Sequence, residues 1–159
     1  MDNNKEWMEA AREVLIRYCG EFSPSVVEKS EGSYLYTTDG RAILDFTSGQ
    51  MCAVFGHSHP RIVEAIHQAT GQSIHLLSTM LSPALLELGK GLVDLLPEGL
   101  DRVIFVNTGS ESNEVAIRMA KLATQGFEIV AFGGSWHGMT AGAQSYTYSK
   151  TRTGYGPNL

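Results

Sequence analysis

A short polar turn holds the residues of this chain whose types and spacing suit them to bind an anion. Residues 103–106 are β-branched or aromatic, and residues 107–110 read Asn-Thr-Gly-Ser before apolar residues recur at helical spacing. A helix beginning near Ser110 would leave its first N–H groups unpaired, and the hydroxyls of Thr108 and Ser110 would add donors. Two interpretations stay open: a phosphate-binding turn formed by Thr108, Gly109 and Ser110, or an ordinary helix with Ser110 as N-cap.

A glycine-rich loop with a tryptophan follows the next apolar run. Residues 128–132 predict a second strand, so strand, helix and strand occur within the length of one right-handed βαβ unit and predict a parallel sheet. Ligands of such sheets bind beyond the carboxyl ends of the strands, which would bring residues 108–110 and 133–138 to one edge. Trp136 is then either a platform for a planar ring or a boundary residue covering the sheet edge.

Two histidines precede a proline in a small-residue loop. His57 and His59 alternate, so on an extended chain both could face one metal ion, but no third ligand lies nearby in the sequence. The alternative is that they are turn and capping residues before a helix that starts at Pro60. The two cysteines, Cys19 and Cys52, lack metal-binding spacing and fit reduced thiols in a cytoplasmic protein.

The remaining patterns predict the elements that position these loops. They are a helix over residues 6–18, a hairpin of residues 33–37 and 41–46 around Asp39-Gly40, an irregular loop over 47–60, a helix from Pro60, and a helix capped by Ser82 that runs from Pro83 to about residue 96.

The composition is that of a soluble globular chain. Its 159 residues match one domain of common size, 43% of them are hydrophobic, and the net charge is −5 with no basic run. We therefore expect neither a nucleic-acid partner nor a membrane partner, and the N-terminus lacks a signal pattern.

Several catalytic motifs are absent. No GxxxxGK[ST] or Rossmann fingerprint occurs, and in residues 133–137 the last position of a GxSxG elbow is His137. A phosphate turn beside an aromatic platform suits an aromatic cofactor that carries a phosphate, such as pyridoxal phosphate. That chemistry needs a lysine amine, and Lys150, at the end of an alternating run, is either that amine or a solvated loop lysine.

The sequence resembles the class III aminotransferases, which are fold-type I pyridoxal-phosphate enzymes, and within them the dialkylglycine decarboxylase group. The motifs that carry the resemblance are Arg41-Ala-Ile-Leu-Asp-Phe-Thr-Ser-Gly-Gln-Met51, Gly56-His57, His59-Pro60, Leu100-Asp-Arg102, Thr108-Gly-Ser-Glu-Ser-Asn-Glu114, Ala116-Ile-Arg-Met-Ala-Lys-Leu122 and Ser135-Trp-His-Gly-Met-Thr140. It implies an α/β fold with an amino-terminal helix and hairpin segment of the small domain in residues 1–50. Residues 51–159 would begin a mostly parallel, incomplete large-domain sheet.

The resemblance also implies roles for individual residues. The cofactor phosphate would be bound by Thr108, Gly109 and Ser110, and Trp136 would stack on the pyridine ring. Gln50 would confer decarboxylation specificity, with Met51 and Met139 lining the substrate pocket. The carbonyl of Leu76 and the hydroxyl of Ser78 would be ligands of an alkali metal ion.

The family chain continues far beyond this one, and the missing part holds the Schiff-base lysine and the pyridinium-binding aspartate. We therefore expect an amino-terminal portion that is inactive alone. The complete enzyme, a homodimer or larger assembly, would convert a dialkyl amino acid and pyruvate to a ketone, carbon dioxide and alanine. The alternatives are part of a plain class III aminotransferase acting on amino and keto acids, or a non-catalytic partner of full-length subunits.

Overall fold

The structure is a computed structural model that describes residues 3–17 and 20–148. Its contacts divide the chain into two compact units, unit 1 (Met1–Met80) and unit 2 (Leu81–Leu159). Cys19 and Lys150 lie outside the described residues. Across the described ranges, no helix is both long enough and apolar enough to cross a bilayer.

Unit 1 begins with helix α1 (Asn3–Val14), which starts and ends earlier than the sequence pattern predicts. Asn4 connects this helix to the chain ahead of the sheet, because its Nδ2 donates to the Pro24 carbonyl at 3.0 Å and its Oδ1 accepts the Val26 N–H at 2.8 Å. The side chains of Trp7, on α1, and of Leu15, just after it, remain more than half exposed.

The predicted hairpin is confirmed and belongs to a three-stranded antiparallel sheet. Strands β1 (Val27–Glu31), β2 (Tyr34–Thr37) and β3 (Ala42–Leu44) lie in chain order, with Leu35 opposite Ile43. The turn between β2 and β3 contains Asp39 and Gly40, and Gly40 has φ of 83°, a conformation that glycine adopts at little cost.

Two helices start at prolines, as the sequence predicts. After a one-turn segment, α2 (Ser48–Met51), unit 1 continues into α3 (Pro60–Thr70). In unit 2, α4 (Pro83–Val93) follows Ser82, whose hydroxyl accepts the Leu85 N–H at 3.3 Å. This hydrogen bond confirms Ser82 as the N-cap, and α4 ends earlier than its pattern predicts.

The buried centre of unit 2 lies where α5 (Gly109–Thr124) meets the short α6 (Ala141–Ser145). Ala143, Gln144 and Thr147 are almost fully buried there. A segment of mixed polarity, rather than one of the aliphatic helices, therefore forms the most buried part of this unit.

The expected parallel pairing is not formed within the described residues. Neither residues 103–106 nor residues 128–132 are assigned as strand, and most of their apolar side chains remain exposed. The run after α4 does pack on that helix, because a Cβ at Gly89 would lie 3.5 Å from Val103 Cγ2. Successive strands of an α/β sheet are neighbours only about two-thirds of the time, so a strand between them can be needed to complete the ladder.

Candidate functional site

The polar turn at residue 108 forms a capping box at the start of α5. The hydroxyl of Thr108 accepts the Glu111 N–H at 3.1 Å, and the Glu111 carboxylate accepts the N–H groups of Asn107 at 2.7 Å and Thr108 at 3.1 Å. The N-cap is therefore Thr108. The interpretation that Ser110 is the N-cap is wrong, because Ser110 lies inside the helix whereas Thr108 has the extended backbone of a cap.

Capping leaves two donors at this helix end. The N–H groups of Gly109 and Ser110 make no hydrogen bond within the described part of the chain. They lie in the first helical turn, where the positive end of the helix dipole favours an anion. Capping and phosphate binding are thus compatible, since they use different N–H groups.

The glycine-rich loop packs directly on this turn. The hydroxyl of Ser110 accepts the Met139 N–H at 2.9 Å, and Asn113 Nδ2 donates to the His137 carbonyl at 2.6 Å. Gly138, with φ of 122°, permits this approach, because a Cβ there would lie 2.9 Å from Ser110 Cα. The structure therefore brings Ser110 and Met139 together, as the sequence predicts for the two loops.

One carboxylate fixes the end of the same loop. Glu114 accepts hydrogen bonds from the Thr140 hydroxyl at 2.6 Å and from the N–H groups of Gly142 at 2.9 Å and Ala143 at 3.2 Å. The Thr140 hydrogen bond, followed by those backbone donors, holds the pKa of Glu114 below its usual range despite partial burial. The charged carboxylate is therefore the form that docks the loop on α5.

The loop is also closed on itself around Trp136. The His137 N–H donates to the Thr147 hydroxyl at 2.9 Å, and the Tyr148 N–H donates to the Ser135 carbonyl at 3.0 Å. The residues on either side of Trp136 are thus fixed, while its own side chain is 52% exposed. An indole that is exposed on a fixed backbone is available to stack against a planar ring.

One polar group of α6 and one of this loop are buried without a hydrogen-bond partner among the described residues. They are the side-chain amide of Gln144, which is only 1% exposed, and Nε2 of His137. Neither was identified from the sequence, and neither were Asn113 and Glu114 as the groups that fix the loop. The one sequence signal for these contacts is that the segment is rich in small and polar residues, which permit close packing of the backbone.

Gln50 and Met51 lie in unit 1, in a turn of unusual hand. Ser48, Gly49, Gln50 and Met51 have φ of 49°, 56°, 65° and 65°, and ψ of Gly49 and Gln50 is 51° and 43°. These are left-handed helical values, and each non-glycine residue there costs roughly 1–2 kcal/mol. Met51 is highly exposed. Strained backbone of this kind is concentrated at functional sites.

His57 contacts a carboxylate, and His59 lies at the start of a helix. Nε2 of His57 lies 2.7 Å from Asp45 Oδ2, and His59 occupies the N-cap position of α3 without a side-chain capping bond. Hydrogen bonds from Thr47 and then His57 hold the pKa of Asp45 well below its usual range. In the described residues, no three His, Cys, Asp or Glu side chains are grouped to hold a metal ion.

The remaining predicted residues stay predictions. Leu76 and Ser78 lie in an exposed, non-helical stretch between α3 and α4, and the role of this stretch in binding an alkali metal ion is untested. Lys150 lies outside the described residues. Of the other lysines, Lys90 pairs with Asp94 on α4 at 3.0 Å and Lys121 lies over the Tyr146 ring at 6.0 Å.

Known proteins resemble nearly the whole chain. An uncharacterized aminotransferase of Schizosaccharomyces pombe is 50% identical over 149 residues, which is 94% of this chain and 33% of that protein. The acetylornithine aminotransferase of Halalkalibacterium halodurans is 38% identical, over 84% of this chain and 34% of that protein. The chain thus spans about a third of the length of these curated relatives.

Solved structures agree with the sequence comparisons. The taurine:2-oxoglutarate aminotransferase of Bifidobacterium kashiwanohense, in complex with PLP and glutamate, matches 98% of this chain and 36% of its own, with a TM-score of 0.88 and 29% identity. An S-selective transaminase of an Arthrobacter species with alanine bound matches 94% of this chain and 34% of its own, with a TM-score of 0.82 and 28% identity. The fold is thus the α/β fold of these transaminases. The profile of the aminotransferase class-III family matches residues 19–159, and the chain belongs to that family.

Proposed function

We propose that this chain supplies the phosphate-binding and ring-binding part of a pyridoxal-phosphate-dependent class III aminotransferase that acts on an amino acid and a keto acid. One observation carries the proposal. The two unpaired N–H groups of Gly109 and Ser110 adjoin the loop that carries Trp136. The named relatives are aminotransferases, which supports the same activity class.

The residues present fit the phosphate of such a cofactor. Two backbone N–H groups at a helix N-terminus, with the hydroxyls of Thr108 and Ser110 beside them, match the acceptor oxygens of a phosphate. The close approach of Gly138 to Ser110 leaves no room for a side chain at that position. When bound, pyridoxal phosphate supplies an electron sink that stabilises negative charge at the substrate carbon next to the amino group.

Each residue of this part has a defined task in that reaction. The first turn of α5 binds and orients the phosphate. Trp136 covers one face of the ring and excludes water from it. Asn113 and Glu114 hold the loop so that the indole keeps one orientation.

Binding of the cofactor skeleton can be measured directly on this chain. The probe is 4-deoxypyridoxine 5′-phosphate, which lacks the aldehyde and so does not react with lysine amines. The chain has two tryptophans, and in a Trp7→Phe background the fluorescence reports Trp136. We expect saturable quenching by this compound and much weaker quenching by 4-deoxypyridoxine, which has no phosphate.

Ser110→Ala and Ser112→Ala form a matched pair for this measurement. Both serines lie in the first turns of α5, but only Ser110 contacts the glycine-rich loop. Ser110→Ala should weaken binding by about 1.5–3 kcal/mol, because hydrogen bonds to a charged group are in that range, whereas Ser112→Ala should have little effect. Equal affinity with and without the phosphate group would contradict the proposal.

A decarboxylating activity is a second candidate, which we propose on the position of Gln50. Gln50 has a strained backbone with φ of 65°. Such strain is concentrated at functional sites, and a glutamine in an ordinary loop does not require it. The substrates would be a dialkyl amino acid and pyruvate. In the enzyme that contains this chain, Gln50→Ala should impair decarboxylation more than transamination, and the control Gln68→Ala on α3 should affect neither. If Gln50→Ala impaired decarboxylation and transamination equally, the plain aminotransferase activity would be the better assignment.

A third candidate is a non-catalytic partner of full-length subunits, and the exposed apolar side chains of α3 and α4 favour it. Co-purification of the tagged chain with a full-length class III aminotransferase would support this function. A free monomer under the same conditions would contradict it.

A further inference from the structure

The carboxylate of Asp45, the residue after β3, accepts hydrogen bonds from the left-handed turn α2 and from its cap. Asp45 Oδ1 accepts the N–H and the hydroxyl of Thr47 at 2.9 and 2.7 Å, and Oδ2 accepts the Gly49 N–H at 2.9 Å. His57 Nε2 completes the set on Oδ2 at 2.7 Å, and the Asp45 side chain is only 6% exposed. Both oxygens are thus saturated with donors, and two of the donating residues belong to the turn or to its cap.

His57 is itself fixed by the sheet. Its N–H and carbonyl pair with the carbonyl and N–H of Gly32 at 2.7 and 3.0 Å, in the connection between β1 and β2. Gly56, with φ of 87°, allows this pairing, because a Cβ there would lie 3.2 Å from Gly32 Cα. A continuous set of contacts therefore runs from the sheet through His57 and Asp45 to the turn.

The turn needs such support. Its own helical hydrogen bonds, from the Met51 N–H to Thr47 and from the Cys52 N–H to Ser48, are those that a right-handed turn would also make. Left-handed conformations occur routinely as single residues and not as consecutive non-glycine residues. External contacts must therefore select the left-handed form.

We propose that Asp45 and His57 are positioning residues that hold α2 in its left-handed conformation and so set the direction of the Gln50 and Met51 side chains. The conformational part of this proposal stands without a cofactor. Its consequence for catalysis rests on the decarboxylating activity proposed above, which depends on the position of Gln50.

NMR of the full chain without cofactor tests the conformational part. The Cα and Cβ shifts of Ser48 and Gln50 report the sign of φ, and we expect left-handed values that are lost in Asp45→Asn and His57→Ala. His57→Gln should retain them, because its amide nitrogen can donate from the same distance along the side chain. Asp39→Asn is the matched control, since Asp39 also accepts side-chain hydrogen bonds in unit 1 but lies in the hairpin turn. Left-handed shifts that persist in both Asp45→Asn and His57→Ala would overturn the proposal.

A double-mutant cycle based on unfolding midpoints tests the proposal even if Asp45→Asn folds too poorly for NMR. If Asp45 acts by holding the strained turn, Gln50→Gly should raise the unfolding midpoint more in Asp45→Asn than in the native chain, because the strain that glycine relieves is offset by Asp45 only in the native chain. Additive effects of the two substitutions, or a double variant no more stable than Asp45→Asn, would overturn the proposal.

The catalytic consequence is measured in the holoenzyme that contains this chain. His57→Ala should lower kcat for decarboxylation on the order of 10- to 100-fold with little change in KM, as expected for a misplaced pocket residue, and His57→Gln should restore it. Loss of the left-handed shifts with unchanged kcat would overturn this consequence and leave the conformational role in place.

Discussion

Gly138 shows how one residue without a side chain sets the distance between the two candidate cofactor-binding loops. Its Cα lies so near Ser110 that a Cβ would fall 2.8 Å from Ser110 Cβ and 2.9 Å from Ser110 Cα. Backbone atoms of a helix cannot move aside as the end of a flexible side chain can. The position of the Met139 N–H on the Ser110 hydroxyl therefore depends on this glycine.

Gly138→Ala should separate the glycine-rich loop from α5. We expect a loss of about 1–3 kcal/mol of stability from overpacking, together with a shift in Trp136 fluorescence. Urea unfolding and fluorescence in the Trp7→Phe background measure both effects. The control is Gly134→Ala, where φ is also positive, at 78°, but no atom lies within 4 Å of the added Cβ. Equal effects of the two substitutions would show that the positive φ, and not the overlap with Ser110, causes the loss of stability.

At the scale of the element, the capping box fixes where α5 begins. Thr108→Ala removes the acceptor for the Glu111 N–H and should lower the free energy of unfolding by about 1 kcal/mol. Thr108→Ser keeps the hydroxyl and should have nearly the free energy of unfolding of the native chain. Far-UV circular dichroism during urea unfolding gives the free energies. Thr124→Ala, at the other end of α5, removes a hydroxyl that donates to the Ala120 carbonyl and serves as the control. A larger loss from the Thr124 change would contradict this assignment of the cap.

The docking of the glycine-rich loop on α5 should depend on pH through Glu114. The pKa of Glu114 is lowered in the folded chain, chiefly by the Thr140 hydrogen bond. The carboxylate therefore contributes stability that is present above the unfolded pKa, which is about 4.5. This contribution is lost as the pH falls through the lower folded pKa. Fluorescence of Trp136 in the Trp7→Phe background should therefore change below about pH 4.

Glu114→Gln is the control for that titration. Its amide oxygen can accept the same hydrogen bonds but carries no charge, so the acid transition of Trp136 fluorescence should disappear or become much smaller. An unchanged transition in Glu114→Gln would assign the pH dependence to another group.

At the scale of the whole molecule, the chain has more accessible surface than its length predicts. It exposes 13385 Å², whereas a folded monomer of this length exposes about 7,800 Å², and two separate domains of half the length would together expose about 9,400 Å². The excess does not depend on the placement of the two units. Apolar side chains of α3 and α4 contribute to it, among them Ile62, Ile66 and Leu88.

We therefore expect the purified chain to self-associate at micromolar concentration. Sedimentation velocity should show species larger than the monomer, and Ile62→Glu with Ile66→Glu should reduce their fraction by adding charge to the apolar face of α3. Gln68→Glu adds one charge to the same helix outside that face and is the control. A wild-type chain that sediments as a single monomer would contradict this expectation.

The features that sequence alone predicted are those set by neighbouring residues. The hairpin turn at Asp39-Gly40, the prolines that start α3 and α4, and the Ser82 cap all depend on contacts within a few residues. The position of the polar turn at the start of α5, the candidate phosphate site, belongs to the same class. Local backbone preferences and capping hydrogen bonds act there without reference to the rest of the fold.

Tertiary structure decided the contacts between distant parts of the chain. Asp45 and His57 are 12 residues apart, and Ser110 and Met139 are 29 residues apart. Which donors reach a carboxylate or a hydroxyl over such separations depends on how the backbone is folded, and no periodic pattern encodes it. For the same reason the pattern predicted two parallel strands, over residues 103–106 and 128–132, that the described part of the chain does not form. A strand is completed only by the segment that lies beside it.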